Sequence, residues 1–77
     1  MDIRTKVFQT VADAFGKSPE ELKDDTRLIE DLDAKSVNYF PIMNALEEEY
    51  DLELQYQTFR SKCPTIKDII KLVEEEA

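Results

Sequence analysis

Histidine and tryptophan are absent from this 77-residue chain, and glycine and cysteine occur once each. Without histidine there is no Ser-His or Cys-His dyad and no histidine-ligated zinc site. The single Cys63 forbids an internal disulfide, which predicts a reducing compartment, the cytoplasm. Long apolar runs are missing too. Nothing approaches the ~18 residues of a membrane span, and the start Met1-Asp2-Ile3-Arg4 lacks a signal-peptide core. Basic charge is in short supply: 18 acidic against 10 basic residues leave a net charge of −8. That charge repels phosphate backbones and anionic membranes, so nucleic acid is a poor partner and basic protein surfaces are the natural fit.

What remains is ordinary globular material. The hydrophobic fraction of 42% supports one small core, and the length allows one domain over residues 1–77. Residues 3–15 place Ile3, Val7, Val11 and Phe15 at steps of four, an amphipathic helix that Gly16 stops. Ser18, Pro19 and Glu21 form a capping box and predict a short helical turn. From Lys23 to Lys35 the periodicity fades, which predicts a long ordered loop pinned by Leu28, Ile29 and Leu32. Val37 to Tyr50 is helical by pattern, with Phe40, Met43, Leu46 and Tyr50 inward and Glu47, Glu48 and Glu49 facing water. Pro41 opposes an early start to that helix, so its regular part is expected to begin near Asn38 to Pro41, with Ser36 on a looser turn before it. Leu52, Leu54, Tyr56 and Phe59 read as an extended lead into a short helical turn. Thr65 and Asp68 cap a last helix whose inner face is Ile66, Ile69, Ile70 and Val73, with a frayed tail from Glu74 to Ala77. The fold class is all-α: a small three- to four-helix bundle with a long loop between the first and second main helices.

Few side chains suggest chemistry. Asp31-x-Asp33 hints at a calcium loop, but Ser36 and Ile42 stand where glycine and glutamate are required, so no metal is assigned. Cys63 reads as a structural residue. Carboxylates abound, yet a chain this short has little room for a deep pocket that would perturb them, so an enzyme is not expected.

The stretch Glu30-Asp31-Leu32-Asp33-Ala34-Lys35-Ser36-Val37, followed in register by Met43-Asn44-Ala45-Leu46-Glu47-Glu48-Glu49-Tyr50-Asp51, resembles the acyl carrier protein family. The likeness extends over nearly the whole chain. It implies a 4′-phosphopantetheine group attached covalently to Ser36, whose thiol holds acyl intermediates as thioesters. It also implies partners: a phosphopantetheinyl transferase and acyl-processing enzymes with basic docking surfaces, meeting Lys35, Val37, Asn38, Glu47 and Glu48 on a monomer. A serine at a helix start is by default only an N-cap, and an acidic face only a solvated one; register with the downstream motif shifts the balance. Lys35 stands where the family usually has aspartate, Asp33 where glycine is common, and Asn38 and Pro41 where acidic residues are frequent. These departures point to a specialised carrier rather than a housekeeping one. The rival is an unmodified acidic helical interaction module.

Overall fold

Several helix starts are set by a side chain or a distant carbonyl that satisfies an early backbone N–H. The structure is a computed structural model and describes residues 2–76. Helix α1, Ile3–Phe15, starts at Asp2, whose carboxylate accepts the Thr5 N–H at 2.7 Å. It ends at Gly16, whose φ of 65° lies in the left-handed region that glycine enters without strain. After it, Pro19–Glu21 make one 3₁₀ turn. There Glu21 accepts the Ser18 N–H at 2.8 Å, while the Ser18 hydroxyl donates to Glu20 at 2.6 Å.

The stretch expected to be loop from Lys23 to Lys35 contains a helix, α2, Leu28–Leu32. Its apolar period was too short to register, and its start is set by distant backbone. The Leu28 N–H donates to the Pro64 carbonyl at 2.9 Å, and the Ile66 N–H donates to the Thr26 carbonyl at 3.3 Å. Arg27 and Thr65 form a lone antiparallel bridge between these segments. Asp33 then closes α2 at a φ of 55°. Aspartate is among the few side chains that tolerate the left-handed conformation.

Helix α3 spans Ser36–Tyr50 without interruption, Pro41 included. The expectation of a late start is therefore wrong. Pro41 removes only the bond that its N–H would have given the Val37 carbonyl. Val37 and Pro41 are both exposed, so water can serve that carbonyl, while Tyr39, Ile42, Met43 and Leu46 are buried and hold the helix down on either side. The inward face was right at Met43 and Leu46, both buried, and wrong elsewhere. Phe40 is 49% exposed, Tyr39 and Ile42 take the inner positions, and Tyr50 is only half-buried.

Helix α4, Tyr56–Lys62, buries Phe59. Helix α5, Ile66–Glu76, is opened by a reciprocal box in which Thr65 and Asp68 bond at 2.7 to 3.4 Å. It stays helical through Glu76, so the expected fraying does not begin at Glu74; Ala77 lies outside the described residues. Helix α1 packs against α3 and α5, and Val7, Val11, Ile42, Leu46, Ile69 and Val73 meet in the core with no exposed surface. All-α architecture follows: among the described residues, three longer helices and two short ones.

Candidate functional site

Ser36 is the first residue of α3, exposed, three residues beyond the Asp33 turn and two beyond buried Ala34. Its placement follows from the stitching of α2 to the α5 start, which fixes where the loop must end. Lys35 precedes it in extended conformation with φ −127° and ψ 173°. The Lys35 N–H is held by Asn38 Oδ1 at 3.0 Å, which is half of a capping box, and the Lys35 ammonium reaches Asp33 at 3.2 Å. No acidic side chain lies in the first turn of α3. The N–H groups of Ser36 and Val37 occupy the first two helical positions, where no intrahelical acceptor exists.

The other residues proposed for partners separate into two groups. Val37, adjoining Ser36, is 73% exposed. Asn38 is half-buried and already committed: its amide nitrogen donates to the Ala14 carbonyl at 3.1 Å, tying α3 to the end of α1. Glu47 does not simply face water. Its carboxylate accepts the Leu54 N–H at 2.9 Å and so fixes the chain between α3 and α4. Glu48 is exposed at the far end of the helix, beside Glu49, which lies 3.7 Å from Lys6. The structure thus brings Lys35, Ser36 and Val37 together and leaves Glu47 and Glu48 at the other end of α3.

Sequence reasoning missed what flanks Ser36 from the neighbouring helices. Phe40 stands one turn on and its ring lies 5.1 Å from that of Tyr56 on α4. Ile29 of α2, 40% exposed, lines a surface groove with Tyr56, Gln57, Arg60 and Ser61. The available signal was the absence of any acidic residue from Tyr56 to Lys62 in a chain of net charge −8. Inside, the Tyr39 ring meets Tyr56 and Phe59 edge-on at 5.8 and 6.2 Å. Its buried hydroxyl has no hydrogen-bond partner among the described residues, and burial raises its pKa.

Cys63 takes no part in this surface. It is fully buried, and burial pushes its pKa up to about 12, so the thiol is protonated and unreactive at neutral pH.

Comparison with known proteins meets this geometry directly. A family model described as phosphopantetheine attachment site matches residues 5–73. The chain belongs to the acyl carrier protein family. It is 35% identical over 74 residues to an acyl carrier protein of Lactococcus lactis subsp. cremoris (strain MG1363), covering 96% of each chain. It is 34% identical over 68 residues to that of Sulfurovum sp. (strain NBC37-1), covering 88% of this chain and 89% of the relative. With the acyl carrier protein of Rickettsia massiliae (strain Mtu5) it shares 34% over 73 residues, 95% of this chain and 84% of the relative. This carrier is accordingly not an enzyme, and its cofactor is a covalently attached 4′-phosphopantetheine. Its working partners are a transferase and acyl-processing enzymes. Among the described residues no helix is long and apolar enough to cross a membrane.

Proposed function

We propose that Ser36 is the attachment residue and that the chain is a specialised acyl carrier of fatty-acid, polyketide or lipid and cell-surface biosynthesis. The observation that carries the first part is the exposed Ser36 hydroxyl at the first position of a helix whose first turn holds no carboxylate. A phosphodiester there meets the partial positive charge of the helix start, two free N–H groups and the neighbouring Lys35, so the residues present suit the group. When bound, the arm supplies a thiol that holds the cargo as a thioester.

The chain's own part in loading is small. Ser36 Oγ attacks the pantetheine-side phosphorus of coenzyme A and gives its proton to a base on the transferase. The new Oγ–P bond replaces the P–O bond to the nucleotide, which leaves as adenosine 3′,5′-bisphosphate. The packed core of α1, α3 and α5 keeps the α3 start in place throughout. Specialisation is supported by the near end of α3, where Lys35, Asn38 and Pro41 replace the acidic residues common in the family. Enzymes with basic surfaces then find their charge partners only toward Glu48 at the far end. We place the carrier in the cytoplasm as a monomer, a reading supported by its single, buried thiol and by a core closed within one chain.

Intact mass after incubation with coenzyme A and a phosphopantetheinyl transferase tests the assignment. Wild type should gain about 340 Da, and Ser36→Ala should fold and gain nothing. A mass gain in Ser36→Ala, or none in wild type with any transferase tried, overturns it; the second outcome favours an unmodified interaction module.

A further inference from the structure

The face around Ser36 has the composition of a protein interface and the wrong charge for a basic partner. Val37, Phe40 and Ile29 are 73%, 49% and 40% exposed, the largest apolar side chains left open among the described residues. Phe40 and Tyr56 bring their rings to 5.1 Å and so join α3 to α4 in one aromatic surface. Arg60 lies one turn from Tyr56 on α4, with its guanidinium 3.4 Å from the Tyr56 hydroxyl. Exposed aromatic side chains beside an arginine are what fully desolvated interface centres are made of.

The charges of this face are unusual for so acidic a chain. From Ala34 to Ala45, and again from Tyr56 to Lys62, there is no acidic residue. The acids of α2 are engaged nearby: Glu30 and Asp31 by Arg27 at 3.1 and 3.2 Å, and Asp33 by Lys35 at 3.2 Å. Arg60 enters no ion pair among the described residues. It also borders the groove lined by Ile29, Tyr56, Gln57 and Ser61, an open hollow of about 460 Å³. The unneutralised charge beside the apolar surface is therefore positive.

We propose that the acyl-processing enzyme served by this carrier docks on the Val37, Phe40 and Tyr56 surface with an apolar hollow and sets a carboxylate against Arg60. The proposal rests on the Ser36 reading for its place beside the arm. It divides recognition between the two ends of α3: apolar and carboxylate-bearing contact near Ser36, and basic surface only toward Glu48. Burying the apolar side chains provides affinity, and the sign of Arg60 discriminates, because a basic group in the same place is repelled as the pair desolvates.

A charge-swap experiment decides it. The probe is a malonyl-transferring enzyme of fatty-acid synthesis in two forms, one natural and one with its carrier-facing basic residue changed to glutamate. Dissociation constants are measured at low salt for the chain with and without the arm. Wild type should bind the glutamate form about fivefold more tightly than the basic form, and Arg60→Glu should reverse that order. Phe40→Ala should weaken binding to both forms, and both variants alter exposed positions, so the fold is kept. Equal binding of the two forms by wild type, or preference for the basic one, overturns the proposal. Loading is read separately by mass. A chain that shows the predicted order but never gains the arm sinks the Ser36 assignment alone, and a loaded chain without the order sinks this proposal alone.

Discussion

Helices α3 and α5 are both rich in apolar residues, and they use them differently. In α5 the apolar side chains keep to the core side: Ile66, Ile69 and Val73 are fully buried, Ile70 and Leu72 are half-buried against the core, and every other residue is charged. In the first half of α3 they fall all round. Tyr39, Ile42 and Met43 go into the core while Val37 and Phe40 stay outside. A helix that serves only the core keeps its hydrophobicity on one side. The surplus on the outer side of α3 contributes little to stability and surrounds the serine. On the docking proposed above, that apolar excess is what the partner enzyme covers.

Truncations on the two faces should separate most widely. Leu46→Ala, and Ile69→Ala in the reference helix, should each cost about 2–5 kcal/mol in denaturant unfolding. Phe40→Ala and Val37→Ala should cost less than about 1 kcal/mol, within the range of surface substitutions that touch no special feature. Similar losses from Leu46→Ala and Phe40→Ala would erase the distinction between the faces of α3.

A smaller effect is expected where α3 meets α1. Asn38→Asp keeps the acceptor for the Lys35 N–H but removes the amide donor and sets a carboxylate against the Ala14 carbonyl. The loss should be about 1–3 kcal/mol, the usual penalty for stranding a partly buried polar group. An unchanged unfolding midpoint would show that Asn38 is free to serve partners instead. Restoring acidic charge at this position to attract basic enzymes therefore carries a structural penalty.

Acid titration should sharpen the contrast least, and at the helix starts alone. The Asp2 carboxyl is held below its ordinary range by the Thr5 N–H, and Asp31 by the Arg27 N–H. Their folded-state values lie below the unfolded ones, so this stabilisation is complete above about pH 4 and is lost as pH falls through the folded values. The start of α3 is capped by the neutral amide of Asn38 and has no such dependence. Amide exchange below about pH 4 should accelerate at Thr5 and Arg27 before it does at Lys35. Simultaneous acceleration at all three would deny the carboxylates any separate role.

Helices α1 and α5 were legible because their signals are local. A stripe at helical spacing, a cap and a glycine stop can be read without knowing what lies opposite. The Thr65 and Asp68 box formed as the residue types required, and Ser18 engaged both glutamates of its turn. Ser36 stood out as a candidate only through register with the motif downstream, since a lone serine at a helix start is ordinary. Helix α2 was not legible, because its first N–H is satisfied by Pro64, far along the chain. The inward side of α3 was not legible either: when apolar residues occupy every side, only the partner helices choose between Phe40 and Tyr39.

The sequence by itself determined the helical class, the acidic balance, the caps and the serine with its motif, all matters of residue type and spacing that act within a turn or two. Tertiary structure decided that α3 runs through Pro41, because the buried residues flanking it hold a helix that local preference alone would have started later. It also decided that Asn38 ties α3 to the end of α1, and that Phe40 on α3 meets Tyr56 on α4. Those outcomes depend on which helix lies against which, and no property of a single segment contains that information.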